Sequence, residues 1–222
     1  MNWQLSISSI PTLLRGAILT IEFTAIAVSC GTVIGLLLAI CRLSKHKYLA
    51  WPAAIYVDFF RGTPLLVQLL LIGYGAPQVL NFTTPDNWFY VAGVIALSLN
   101  SGAYITEIFR AGIQSIDRGQ TEAARSLGMS QAQSMISVIL PQAFKRVVPP
   151  LGNEFIAMLK DSSLLSVLAI QELLLSGKLI VGRTYQPFPV YIAVAAIYLV
   201  MTLVISRFVN YTERRLAKND IR

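Results

Sequence analysis

The sequence predicts an all-α membrane protein with five transmembrane helices, N-terminus outside and C-terminus in the cytoplasm. Three observations predict it. Hydrophobic residues are 55% of the 222-residue chain and charged residues 13%, too apolar for a soluble domain and right for a polytopic membrane protein. The apolar residues gather into five long stretches, the length a bilayer crossing needs. The basic residues collect on alternate sides of those stretches, as the positive-inside rule requires. Residues 1–222 are read as a single transmembrane domain, with no room for a separate soluble one.

Residues 1–14 are mildly amphipathic and are placed at the membrane interface. The N-terminus lacks a basic n-region and its apolar run exceeds a signal h-region, so it reads as a retained span. Span 1 covers 17–41, with Glu22 near one end as its only charge. Gly31 and Gly35 form a GxxxG that permits close helix contact. Cys30 and Cys41 share this helix roughly 16 Å apart at 1.5 Å per residue, so they do not bridge each other. Arg42–Lys47 is a short basic loop. Span 2 covers 52–80 and contains the run DFFRGTP. Pro64 removes a backbone hydrogen bond and bends it. Asp58 and Arg61, three apart, are placed at the cytoplasmic interface as a pair.

Span 3 covers 88–109 and opens on Trp88 and Tyr90, suited to the interfacial belt. It holds Asn100, Ser101 and Glu107, the last expected to pair with Arg110 along the helix face. Span 4 covers 148–175. Pro149-Pro150 opens it, and Glu154, Lys160 and Asp161 interrupt it, so it cannot face lipid throughout. Gly177–Pro189 reads as a polar loop. Span 5 covers 190–208 and leads into a charged tail.

Between spans 3 and 4 lies a polar insert, 110–146. Its segment Gln120–Gln142 reads as two short helices. Asp117 caps the first, with Gln120 as its box partner, and Gly128 ends it in the left-handed conformation. Ser130 with Gln133 makes a second capping box, and Pro141 stops the second helix. With the loop after span 1, this insert and the tail on one side, that side holds thirteen Lys and Arg, from Arg42 to Arg222. The other side holds Arg15, Lys178 and Arg183. The net charge of +7 is therefore a topology signal and not a nucleic-acid surface.

EAARSLG followed by VILP resembles the EAA loop of ATP-binding-cassette importer permeases. The matching residues are Glu122, Ala123, Ala124 and Gly128, then Val138, Leu140 and Pro141, with Val138 in place of the usual isoleucine. RGTPLLVQL at 61–69, GAYITEIFRAGIQSI at 102–116 and PPLGNEFIAMLKDSSLLSV at 149–167 resemble the polar amino acid, histidine/glutamine-type subfamily. The resemblance covers nearly the whole chain. It implies the five-span type I importer permease architecture in the bacterial inner membrane. It also implies a second permease chain, identical or related, an extracytoplasmic amino acid-binding protein, and a dimer of ATPase subunits that carry the ATP and Mg. No cofactor is expected in this chain. No G-x-x-x-x-G-K-[ST] run occurs, so hydrolysis is left to a partner.

In that reading Glu122, Ala123, Ala124 and Gly128 couple to the ATPase. The small alanines allow close approach, Glu122 offers a charge, and Gly128 makes the turn. The alternative is an amphipathic helix lying on the bilayer with Leu127 and Met129 dipping in. Span 4 is the candidate for substrate contact. Glu154 and Asp161 are seven apart on one helical face with Met158 between them. Intramembrane carboxylates are costly unless they face a cavity or a partner. Either they receive a cationic side chain, with Arg61 or Lys160 on the carboxylate and Asn100 contributing, or they pair with Arg61, Arg146 or Lys160 as structural glue. The expected function is ATP-driven import of a polar amino acid, by preference a basic one (Arg, Lys or His). The same importer type carrying glutamine, glutamate or cystine is an alternative. A secondary transporter is the rival from another class, disfavoured by the absence of an internal repeat. A serine–histidine dyad at membrane depth is excluded because the sole histidine, His46, lies in the basic loop.

Overall fold

The structure, a computed structural model, describes residues 3–218; Arg222, counted with the basic tail, lies outside them. The described residues are helical nearly throughout. Helix α1 spans Trp3–Leu43. At 1.5 Å per residue it is about 60 Å long, twice a hydrocarbon core of about 30 Å. Residues from Trp3 to 14 are therefore continuous with span 1 and do not form a separate interfacial segment. Thr20, Thr24 and Thr32 each donate to the carbonyl four residues earlier, so α1 carries its hydroxyls through the bilayer already paired.

Helix α2 is Lys47–Gly62 and α3 is Leu65–Leu70, followed by a π turn at Leu71–Gly75 and α4, Ala76–Leu80. The axes before and after Pro64 differ by 104°. The predicted bend is thus a full break, and span 2 is two segments rather than one helix over 52–80. The cause is local. Proline excludes the helical region for the residue before it, and Thr63 is extended at φ −117°, ψ 146°. Tyr48, Trp51, Ile55 and Phe59 form an exposed apolar face on α2, suited to the membrane interface.

Helix α5, Trp88–Gln114, is the central pillar. Its small buried residues, Ala92, Gly93, Ala96, Ser101, Gly102 and Ala103, let neighbours approach closely. The Gly31/Gly35 pair of α1 faces it directly. A Cβ on Gly35 would stand 2.7 Å from Ile105 Cγ2 and 3.0 Å from the Thr106 nitrogen.

Helix α6, Arg118–Ser126, follows. After it, α7 (Gln131–Ser134), a π turn (Met135–Ile139), α8 (Leu140–Asp161) and a 3-10 turn (Ser162–Leu168) form one helical run. Pro141 does not stop it. The wider π turn immediately before relaxes the ladder where a donor is missing. Pro149 and Pro150 likewise lie inside α8 instead of opening a span. The run leads at 50° into α9, Leu173–Thr184, which replaces most of the expected loop at 177–189. Helix α10 is Pro187–Lys218.

Leu5–Leu43, Trp88–Gln114 and Pro187–Arg215 are each long and apolar enough to cross a membrane, and the two bent pairs raise the candidates among the described residues to five. The helices meet in one core. Phe23 and Ala27 of α1, Leu69 of α3, Ala96 and Leu97 of α5, Met158 of α8 and Leu165 of the 3-10 turn are buried together.

Candidate functional site

A cavity of about 550 Å³, mostly apolar in surface but edged by charged side chains, opens between α2, α5 and α8. Arg61, Tyr104, Glu107, Arg146, Pro150 and Glu154 are among its walls. Each charged member is held differently. Glu107 anchors three arginines: Arg42 at 2.5 Å, Arg110 at 2.6 Å and Arg61 at 3.9 Å. The expected pairing of Glu107 with Arg110 forms, and α1 and α2 join it. Arg61 therefore turns to Glu107 rather than Asp58, with its guanidinium 5.3 Å from the Tyr104 ring centroid. Arg146 donates to the Ser115 carbonyl at 2.5 Å, tying α8 to the end of α5.

Glu154 is different. It is half-buried on the cavity wall, and its Oε1 accepts from the neutral Ser101 hydroxyl at 3.1 Å. The neighbour that satisfies it is a hydroxyl, not a base. The cavity walls thus carry two carboxylates, Glu107 bound to arginines and Glu154 bound to a hydroxyl, together with the guanidinium groups of Arg61 and Arg146.

The remaining candidates do not gather there. Met158 is 1% exposed in the apolar core, so it does not line a polar cavity between two carboxylates. Asp161 is exposed at the end of α8, where the helix tightens into the 3-10 turn, and is not among the cavity's walls, although its charge acts on Glu154. Asn100 is buried and committed to the break in α2–α3. Its Nδ2 donates to Gln68 Oε1 at 2.9 Å and to the Phe60 carbonyl at 3.3 Å. Gln68, which sequence reasoning missed, donates to Phe60 O, Thr63 O and Thr63 Oγ1. The signal for it was a glutamine in an otherwise apolar run four residues after Pro64.

Glu172 was also missed. It is fully buried, and its carboxylate accepts from Leu174 N, Leu175 N and the Tyr198 hydroxyl. It caps α9 where a Ser, Thr, Asp or Asn is usual, so the start signal was atypical.

The polar insert closes as a helical pair. Asp117 Oδ1 accepts from Gly119 N at 2.7 Å. Gln120 is not its box partner and instead accepts from Gln142 Nε2 at 3.2 Å. At the other end Met129 N reaches Ala124 O and Gly128 N reaches Arg125 O, the two bonds of a Schellman motif, with Gly128 at φ 85°. The Ser130–Gln133 capping box is complete. Glu122 and Ala123 are exposed, whereas Ala124 is 4% exposed and packs inward, so it is not part of the presented surface. Leu127 is 84% exposed.

The fold and site define a helical membrane protein with charged side chains gathered around a cavity between its helices. Comparison with known proteins makes the assignment. Residues 31–218 match the family described as binding-protein-dependent transport system inner membrane component. The chain is 36% identical over 220 residues to the arginine transport system permease protein ArtQ of Bacillus subtilis (strain 168), covering 99% of each. It is 39% identical over 219 residues to the probable glutamine ABC transporter permease protein GlnM of the same organism, covering 99% of this chain and 100% of that one. A crystal structure of an amino acid ABC transporter with histidines superposes with TM-score 0.91 at 45% identity, over 97% of this chain and 99% of that chain. The chain belongs to the binding-protein-dependent inner membrane permease family, and it is a non-catalytic, multi-pass membrane subunit.

Proposed function

We propose that this chain is the permease of an ATP-driven importer that carries a polar amino acid, preferably a basic one, into the cytoplasm by alternating access. The five candidate spans cross the membrane with the N-terminus out and the C-terminus in, and residues 1–222 act as one transmembrane domain. A second permease chain completes the pathway. An extracytoplasmic binding protein delivers cargo, and paired ATPase subunits hydrolyse ATP with Mg. Family membership supports these partners and takes the place of the secondary-transporter alternative.

The observation that carries the cargo assignment is Glu154, a carboxylate on the cavity wall whose hydrogen-bond donor is the neutral Ser101. A cationic side chain would find its partner there, and Arg61, which also lines the cavity and is loosely paired with Glu107, would take the cargo's carboxylate. Asn100, Met158 and Asp161 are not among the cavity's walls, and the cargo assignment does not rest on them. The exposed side of α6, with Glu122 and Ala123, is the ATPase-facing surface, and Gly128 fixes its end. Glutamine remains the second reading, because the relatives include a probable glutamine permease and the cavity also holds Arg146.

Reconstitute the assembled importer and measure uptake of Arg, Lys, His, Gln and Glu. Glu154→Gln should raise the KM for arginine roughly tenfold or more, the loss of one charge-assisted bond of about 1.5–3 kcal/mol, and leave glutamine uptake nearly unchanged. Preferred uptake of Gln or Glu with a silent Glu154→Gln would overturn the assignment.

A further inference from the structure

A second cavity, of about 600 Å³, lies between α1, α8 and α10 and plays no part in the function above. Its walls are apolar: Val28 from α1, Val148 and Phe155 from α8, Val204 and Phe208 from α10. The two threonines that line it are already satisfied. Thr32 donates to Val28 O at 2.7 Å and Thr212 to Phe208 O at 2.9 Å, so neither offers a polar handle to a solute. Gly152 sets the floor by letting α10 approach: a Cβ there would stand 2.7 Å from Val209 Cγ1. Phe208 is 70% exposed and Val204 63%, so the cavity is a crevice open along one side.

Depth and charge say what fits. In the proposed orientation the cytoplasmic end of α1 is Leu43. Thr32 lies eleven residues inside it, about 16 Å or roughly half of a 30 Å hydrocarbon core, so the crevice runs from near mid-bilayer toward the cytoplasmic surface, where Thr212 lines it. Its mouth is basic. Arg215 follows Phe208 and Thr212 on the same face of α10, seven and three residues on, and its guanidinium rests 5.0 Å from the Tyr211 ring centroid. Arg214 is exposed beside it, and Lys145 lies one turn before Val148 on α8. Glu213 is the one acid in that turn of α10, beside the two bases Arg214 and Arg215. A second protein helix is too thick for the crevice: 600 Å³ holds only about 8 Å of a helix 10 Å wide. A lipid tail is long and thin.

We infer that this crevice holds one acyl chain of an anionic phospholipid, with its phosphate at Arg215 on the cytoplasmic surface. Such a lipid ties α10 to α8 and α1, and it matches the general preference of basic juxtamembrane groups for anionic head groups.

The test uses the whole importer, purified with its ATPase subunits, in native mass spectrometry. Phosphatidylglycerol and phosphatidylcholine of identical chains are added in turn. The unaltered protein should retain about one phosphatidylglycerol per permease chain and prefer it over phosphatidylcholine. Arg215→Gln should reduce that preference roughly fivefold, the effect of one basic residue near the head group. Val204→Trp, which fills the crevice from an exposed position, should displace the lipid whatever its head group. Equal retention of the two lipids, or retention unchanged by Val204→Trp, would overturn the inference. So would disulfide cross-linking of Phe208→Cys between two permease chains in a Cys30→Ser, Cys41→Ser background, which would make the face a protein interface. Arg215→Gln changes an exposed side chain, so its result does not depend on the crevice variant folding.

Discussion

Removing the Gln68 side chain by Gln68→Leu should destabilise the permease although Gln68 lines no part of the cavity. Gln68 is 2% exposed and sits under the 104° break. Its amide nitrogen satisfies the carbonyls of Phe60 and Thr63, and its oxygen accepts from Asn100. Leucine has nearly the same volume but none of these bonds. Phe60 O keeps the Asn100 donor at 3.3 Å. Thr63 O and half of the Asn100 amide are left without those partners. Two buried unsatisfied groups at about 1–3 kcal/mol each, offset in part by the more apolar side chain, give a net loss of about 2–3 kcal/mol. For a chain of this size that is a fall of about 4–12 °C in the apparent Tm. The assay is thermal unfolding of the solubilised complex, with Asn100→Leu and the double variant to close the cycle. The double variant should be less damaged than the sum of the two, by about 1 kcal/mol, because each single change leaves the other's amide stranded. If Gln68→Leu shifts Tm by under a degree, or if the two effects simply add, the amide pair does not hold the break. Asn100 would then be free to act on cargo after all.

Two further substitutions test the close packing and the insert. Gly35→Ala should lower stability by about 1–3 kcal/mol, because the added methyl meets Ile105 and the Thr106 backbone at 3.0 Å or less; an unchanged Tm would mean that α1 and α5 can separate freely. Gly128→Ala has open space around it, so its effect is conformational: about 1–2 kcal/mol of strain at φ 85°, seen as roughly tenfold faster hydrogen exchange at the amides of Gly128 and Met129, with slow exchange retained only if the left-handed turn is not needed.

The parts legible in the sequence were those with a local cause. Hydropathy located the membrane helices, Pro64 located the break, and Gly128 and Ser130 located the junction between the two short helices of the insert. The GxxxG at Gly31 and Gly35 found its partner helix. The errors share a physical origin. By the rules of helices in water Pro141 read as a stop and Pro149-Pro150 as the opening of a span. In the fold a π turn precedes Pro141, and the helix continues through all three. The 177–189 segment read as a loop because its polar residues looked solvent-directed. In the fold, Glu172 caps it, and Ser176 and Gly177 let it pack against α1 and α10. Met158 and Asn100 share helix faces with plausible ligands, but a face is wider than a cavity. Which residue on a face reaches the void depends on crossing angles that a single sequence does not carry. Gln68 and Asn100 lie 32 residues apart, and their pairing is a tertiary fact.

The arrangement of the insert gives the proposed coupling a mechanical basis. Helix α6 packs against the π turn that precedes α8, and Gln142 of α8 bonds Gln120 of α6. The same end of α8 holds the Ser115 carbonyl through Arg146, so α5 is tied in as well. The two helices that carry Glu107 and Glu154 into the cavity are therefore joined to one handle. From Leu140 to Glu154 is fourteen residues, about 21 Å of hydrogen-bonded helix. A tilt applied at α6 reaches the cavity wall without passing through a loop. The compliant point is the π turn at Met135–Ile139, where the ladder is already loosened beside Pro141. An ATPase pushing on the exposed Glu122–Ala123 side would move α8 and the end of α5 together against α1 and α2, which Glu107 of α5 grips through Arg42 and Arg61. Both groups wall the cavity, Arg61 from α2 and Glu107 and Glu154 from α5 and α8, as the proposed alternating access requires.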